Sequence, residues 1–281
     1  MVFEFRTVGL ALKLRILEIG DVLIHEEIVP ELLEQLIADI KQNNAVKDPV
    51  IVDKRSLVVL DGMHRVAALE RLGCTRLPVC EVDYRHPAIK VGCWYRVVKG
   101  IGEEKFVEIV RLLGLKVLSS SPAEAKEALE RREIIAAYRT VSGCLMVQGG
   151  RKGDVLEAYT WVKRLELALR EEGAEIRYEH EEDAERRVGE TGVLMVPCVK
   201  KEEVLQLALA GHVFAHKTTR HMVPARPVNI GVPLEWLYDT IPLDEVNRMF
   251  EEWLSNRRVE RLPPGSVWEG RRYEEEILVF R

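Results

Sequence analysis

The segment Leu60-Asp61-Gly62-Met63-His64-Arg65 constrains the chain most, because it turns a strand into a helix within two residues. Ahead of it, Pro49-Val50-Ile51-Val52-Asp53 and the apolar run Leu57-Val58-Val59-Leu60 are short and β-branched, which predicts strands. Behind it, Val66, Leu69 and Leu72 share one face of a helix that Gly73 closes as a C-terminal cap. The bend at Asp61-Gly62 therefore offers backbone N–H groups and the positive end of a helix dipole. His64 and Arg65 add cations to the first turn, where they sit poorly unless an anion shares the site. A phosphate meets that requirement. A plainer reading makes Asp61 the N-cap and leaves Arg65 solvated; from this pattern alone both stand.

With 281 residues the chain has the length for one large domain or two small ones. Its 46 acidic and 41 basic residues give a net charge of −5, which argues against a general attraction to nucleic acid. No apolar run approaches the length needed to cross a bilayer. Met1-Val2-Phe3-Glu4-Phe5-Arg6 lacks the basic-then-apolar layout of a signal peptide, so a cytoplasmic location is expected. The five cysteines are scattered, odd in number and without a C-x-x-C pair, which points to a reducing interior and away from zinc. Scarce Asn and Gln beside abundant Glu and Arg is a balance found in heat-adapted proteins.

Taken in order, residues 14–23 read as a strand running into a turn. Pro30 then opens a helix over 31–43 with Leu32, Leu33, Leu36, Ile37 and Ile40 at helical spacing. His25-Glu26 falls in the loop before that helix, and on their own Glu26 and Glu27 read as solvated carboxylates. A strand over 77–84 closes a compact α/β unit near residue 90. Residues 91–100 follow as a strand whose Trp94 and Tyr95 alternate faces, one for the core and one free to face a cleft. The next region echoes itself. Strand 114–118, helix 123–132 and strand 134–138 recur as strand 173–178, helix 183–188 and strand 193–196, each pass behind a helix (103–113 and 154–172).

A helix over 202–210 ends at Gly211, and Lys217-Thr218-Thr219-Arg220-His221 then gathers donors suited to phosphate or carboxylate. A solvated basic loop is the plain alternative, but Phe214, Met222 and Val223 suggest anchorage to a core. A helix over 234–238, another over 244–256, Pro263-Pro264-Gly265 and a strand over 276–280 form an extension that packs on the body or on a neighbour. The expected division is 1–90, 91–232 as an α+β domain built by duplication, and 233–281. The expected fold class is α+β (mixed α/β).

Asp61-Gly62-Met63-His64-Arg65 with Ala68-x-x-x-Leu72-Gly73 resembles the signature of the ParB-like/sulfiredoxin-like nucleotide-binding fold. Sulfiredoxin needs a cysteine where this chain has Met63, which excludes its chemistry. ParB partition proteins carry a more arginine-rich motif and a helix-turn-helix domain, neither of which is evident. The order His25-Glu26, Asp61 to Arg65, Trp94-Tyr95, then Lys217 to His221 and a proline resembles the free serine kinases. These ParB-fold enzymes, from archaea and a bacterial siderophore pathway, phosphorylate L-serine to O-phospho-L-serine, from ADP in the archaeal enzyme and ATP in the bacterial one.

That resemblance, in register from residue 14 to 239, implies a cleft between the ParB-like domain and the second domain. In it Leu60, Asp61, Gly62, Met63, His64 and Arg65 hold the nucleotide. Asp61 holds Mg²⁺ and is catalytic, and Glu26 is the catalytic glutamate that accepts the serine proton. Trp94, Lys217, Thr218, Thr219, Arg220 and His221 hold the amino acid and its incoming phosphate. The implied partners are L-serine and ADP or ATP, with no nucleic acid or membrane, in cysteine or serine-linked metabolism; the heat-adapted balance leans to the archaeal, ADP-using branch. The oligomeric state is left open. The family often has a second histidine at Met63, and the segment after Tyr238 lies beyond the likeness. Two other readings are a ParB-like DNA-binding protein or nuclease, and a nucleotide-binding regulator without catalysis.

Overall fold

The computed structural model describes every residue except Met1, Val2, Val8 and Glu190, so two of the six residues inspected for a leader lie outside the described residues. The fold is α+β, and the chain divides into two compact units. One takes the described residues up to Lys90 together with Lys201–Val213 and His221–Arg281; the other takes Val91–Lys200 and Phe214–Arg220. The passages between units thus fall after Lys90, Lys200, Val213 and Arg220, against expected boundaries at 90 and 232.

The first unit is built on a five-stranded sheet in the order Phe3–Thr7, Leu10–Glu18, Arg76–Val82, Val50–Asp53, Val59–Asp61. Leu10, Leu12, Leu14 and Ile16 alternate into the core with the period of a strand, and every residue of the central strand Arg76–Val82 is buried. Val50–Asp53 runs parallel to that central strand and antiparallel to Val59–Asp61. The strand expected from Leu57 starts two residues later. Asp53 Oδ2 accepts hydrogen bonds from Ser56 N (3.0 Å) and Ser56 Oγ (2.7 Å), closing a turn in which Leu57 is left-handed at φ 56°. The helix Pro30–Asn43 buries Leu33, Ile37 and Ile40, while Leu32 faces solvent. Asn44, left-handed at φ 48°, ends it.

The extension packs on this first unit. The helix Leu243–Ser255 buries Val246, Phe250 and Leu254. Its Asn247 accepts from Ile16 N (2.8 Å) and donates to Ile16 O (3.0 Å). Arg76, 3% exposed, binds Glu18, Asp239 and the carbonyls of Tyr238 and Ile241. The strand Glu276–Phe280 lies between Ala225–Val228, to which it is parallel, and Val259–Leu262, to which it is antiparallel. The short helix expected at 234–238 is a single 3₁₀ turn, Leu234–Leu237.

The second unit holds a six-stranded antiparallel sheet ordered Glu175–Glu179, Tyr95–Lys99, Gly192–Met195, Ala136–Thr140, Gly143–Gln148, Lys116–Ser120. The two passes of the internal echo meet at its centre, where Ala136–Thr140 and Gly192–Met195 pair. Gly143–Gln148 was absent from the repeat pattern and inserts beside the first pass. The helix Val155–Glu171 buries Val155, Tyr159, Val162, Leu165 and Leu169. Cys93 and Cys198, 105 residues apart with Cα atoms 5.0 Å apart, form a disulfide. The scattered cysteines pointed to a reducing interior because sequence spacing carries no sign of a pairing that the fold creates. Among the described residues no helix is long and apolar enough to cross a membrane.

Candidate active site

The strand Val59–Asp61 meets the helix Met63–Arg71 at Gly62, the helix N-cap, whose φ of 98° is open to glycine and strained for other residues. A methyl group on Gly62 would come within 2.6 Å of the Arg65 Nη2, because the guanidinium folds back over the bend. No side chain caps this N-terminus. Arg65 N already turns back to Gly62 O at 2.8 Å, and the amides ahead of it lie at the open start of the helix, where an anion is held. Neither half of the plain reading holds. Asp61 does not cap the helix, and Arg65 is only 19% exposed, its Nη2 donating to Asp61 Oδ2 at 3.2 Å. Leu60 is buried, so only its backbone faces the bend, while Met63 is half-buried.

Residues 22–29 lie against this bend. Leu23 N donates to Leu57 O (3.1 Å) and Val59 N to Leu23 O (2.9 Å), a strand-like pairing that continues the sheet edge. His64 Nε2 accepts from Val29 N at 3.0 Å and ties the first turn of the helix to the end of the loop. Glu26 sits between these ties. It is 6% exposed, which overturns its reading as a solvated carboxylate. His25 beside it has no exposed surface and rests edge-on against His221, with ring centroids 5.2 Å apart. His221 Nε2 and the buried Tyr84 hydroxyl form a 2.9 Å hydrogen bond, and Lys201 Nζ sits over the Tyr84 ring at 5.1 Å. Burial lowers the His25 imidazole to about 4 against a weaker pull from the Val59 backbone. Burial, then His25, pushes His221 well below its ordinary value. Both rings are neutral at pH 7.

Asp61 is the electrostatic centre. Crowding by protein alone would raise its pKa, but Arg226, Arg65 and Arg271 outweigh that and hold the carboxyl below the usual carboxylate range. Arg226 Nη1 donates to Asp61 Oδ2 at 2.8 Å, and its Nε pairs with Glu275. Both arginine contacts on Asp61 fall on Oδ2, and among the described residues Oδ1 is not committed to either. No cluster of three or more metal-ligating side chains occurs among the described residues. A magnesium ion held through nucleotide phosphates needs only one or two protein carboxylates. An ionised Asp61 with one oxygen to spare, 41% exposed, fits that mode. Sequence reasoning missed Tyr84, Lys201, Arg226 and Glu275. The pairs Tyr84–His221 and Asp61–Arg226 span 137 and 165 residues, and no local pattern announces them.

In the second unit, Trp94 gathers most of the other expected residues. Its Nε1 donates to Thr219 O (3.0 Å), Lys217 Nζ lies 4.7 Å from its ring centroid and the Arg220 guanidinium 5.8 Å. Tyr95 beside it is 3% exposed, but the strand expected over 91–100 is broken into Lys90–Gly92 and Tyr95–Lys99, so Trp94 lies ahead of the second strand and the pair does not divide by strand alternation. Thr218 and Thr219 are buried. The Thr218 hydroxyl donates to Ala215 O (2.7 Å), and the Tyr159 hydroxyl donates to Thr218 O (3.2 Å). The loop is therefore fixed in place rather than solvated, with Phe214 fully buried against Tyr159. Arg96, without exposed surface, is held by Glu166 at 2.5 Å and donates to Trp94 O, setting the backbone beneath the indole.

No family model matches the chain. Over most of its length the chain is similar to ADP- and ATP-dependent kinases, and over 74 residues it is 34% identical to a ParB-like protein of Sulfolobus acidocaldarius. It is 32% identical over 226 residues to the ADP-dependent L-serine kinase of Thermococcus kodakarensis, covering 76% of this chain and 88% of the relative. To the ATP-dependent L-serine kinase of Staphylothermus marinus it is 28% identical over 236 residues, covering 79% and 90%. A solved free serine kinase variant in complex with ADP superposes with a TM-score of 0.70 at 32% identity, covering 80% of this chain and 94% of that one. The chain belongs to the free L-serine kinase family.

Proposed function

We propose that this chain transfers the terminal phosphoryl group of ADP or ATP to the hydroxyl of free L-serine, giving O-phospho-L-serine. The observation that carries the reading is the uncapped helix N-terminus at Gly62, flanked by an ionised Asp61 and by the segment that bears Glu26. Phosphoryl transfer asks a protein chiefly for alignment and charge neutralisation. In this reading the first 90 residues take the ParB-like nucleotide-binding role. The backbone from Gly62 to His64 cradles the donor's phosphates, with the Arg65 guanidinium swinging from Asp61 to a phosphate oxygen. Asp61 would hold Mg²⁺, which when bound neutralises phosphate charge. Glu26 takes the proton as the serine oxygen bonds to phosphorus and the bridging P–O bond to the leaving nucleotide breaks. Trp94, Lys217, Thr218, Thr219, Arg220 and His221 hold the amino acid, Lys217 and Arg220 supplying positive charge and the buried residues shaping the loop.

Incubating the protein with L-serine, MgCl₂ and ADP or ATP should yield phosphoserine by ³¹P NMR, with AMP or ADP as coproduct. Glu26→Ala should bind nucleotide with wild-type affinity and turn over at least about a hundredfold more slowly, the range of a lost general base. Wild-type protein that yields no phosphoserine with either donor would sink the reading.

A further inference from the structure

The extension reaches the nucleotide bend through one ion pair. Glu276–Phe280 runs parallel to Ala225–Val228 with Ala225 opposite Glu276, and Glu276 N donates to Pro224 O at 3.1 Å. Glu275, one residue before Glu276, reaches across to Arg226, one residue beyond Ala225 on the neighbouring strand. Both side chains are largely buried, at 16% and 13% exposure, and the Arg226 Nε pairs with the Glu275 carboxylate. The guanidinium thus divides its contacts, with Nε in an ion pair with Glu275 and Nη1 donating to Asp61 Oδ2. Without Glu275, the natural geometry of an arginine facing a single carboxylate is the bidentate fork, which occupies both carboxylate oxygens.

We propose that Glu275 is a positioning residue of the nucleotide site: by holding Arg226 through Nε it confines that arginine to one oxygen of Asp61 and keeps the other for the magnesium–nucleotide. This rests on the nucleotide-binding role proposed for Asp61. Arg271, also on the extension and within electrostatic reach of Asp61, leaves the surroundings positive without Glu275, which favours the collapsed arrangement. Glu275 touches neither substrate nor metal and acts through Arg226.

The test is calorimetric titration of ADP into the full-length protein, with Mg²⁺ and again in EDTA. Glu275→Ala should weaken ADP binding about tenfold with Mg²⁺, the usual penalty for losing a partner behind a metal ligand, and leave binding in EDTA unchanged. In an Arg226→Lys background, where no fork can form, Glu275→Ala should have no further effect. Should Glu275→Ala fail to fold, Glu275→Asp, which draws the charge one methylene back, should show the same Mg²⁺-restricted loss. Equal losses with and without Mg²⁺ would indicate a merely structural role and overturn the proposal. So would unchanged affinity, or an undiminished effect in the Arg226→Lys background. A wild type that binds ADP with Mg²⁺ but makes no phosphoserine would defeat the serine kinase reading and leave this cycle readable; one that binds no ADP defeats both.

Discussion

Gly62 carries two demands at once. Its φ of 98° is a conformation in which a β-carbon costs about 1–2 kcal/mol, and the space a β-carbon would fill already holds the Arg65 guanidinium. Gly62→Ala should therefore lower stability by about 1–3 kcal/mol in urea unfolding and, by displacing Arg65 and the first-turn amides, reduce turnover about a hundredfold. Wild-type activity in a folded Gly62→Ala protein would show that the bend does not hold phosphate. This residue was legible in the sequence because strand, glycine and helix are contiguous, and the chemistry of a bend is local. Asp61 was legible as a carboxylate at the bend but misread as a possible cap. What decides its state is Arg226, which arrives from a strand 165 residues away. Glu26 was misjudged for a similar reason. A glutamate next to a histidine before a helix reads as solvated, and only the ties of Leu23, Val29 and His64 to the bend explain its burial.

At the scale of elements, the sheet that carries the bend depends on a side chain from the extension. On the side of Leu10–Glu18 that faces Phe3–Thr7, the described pairing ends at Leu14, and Asn247 on the helix Leu243–Ser255 supplies Ile16 with both a donor and an acceptor. Asn247→Ala leaves two partly buried backbone groups without these partners and should lower stability by about 2 kcal/mol in urea unfolding. Asn247→Asp should be worse at pH 7, since a carboxylate would face the Ile16 carbonyl with no proton to offer. An alanine variant within about 0.5 kcal/mol of wild type would show that water replaces the amide without penalty. The elements themselves were legible wherever periodicity was strong. The helices Pro30–Asn43, Val155–Glu171 and Leu243–Ser255 fall within a residue or two of their expected ends. Gly143–Gln148 escaped, because its sequence Gly-Cys-Leu-Met-Val-Gln holds a single β-branched residue and no aromatic. That Glu276–Phe280 joins a sheet in parallel with Ala225–Val228 could not be read either, since sequence gives a strand's existence and not its neighbour.

At the scale of the whole molecule, the return of residues 201–213 and 221–281 to the first unit means that its stability draws on both ends of the chain. Linear order hides such a return, because compositional shifts mark where a chain leaves a unit but not where it comes back. Acid titration makes the consequence measurable through His25, which the first unit encloses with no exposed surface. In the unfolded chain its imidazole titrates near 6.5, and in the fold burial lowers it to about 4. The folded protein therefore binds this proton less readily than the unfolded chain, and the stability tied to neutral His25 is intact above pH 6.5. It should fall by about 1.4 kcal/mol per pH unit between 6.5 and 4, roughly 3 kcal/mol in all, and level off below. His221, pushed the same way and in contact with His25, steepens that slope. Asp61 acts in a lower window, since its folded pKa is depressed by the arginines and the stability it lends is lost only once the pH drops below the ordinary carboxylate range. Urea midpoints measured from pH 7 down to 4.5 should fall steadily, and more shallowly in His25→Gln, which cannot be protonated. Midpoints that stay flat from pH 6.5 to 5 in the wild type would mean that His25 keeps its proton in the folded state, and that the buried pair beside Glu26 is a charged one.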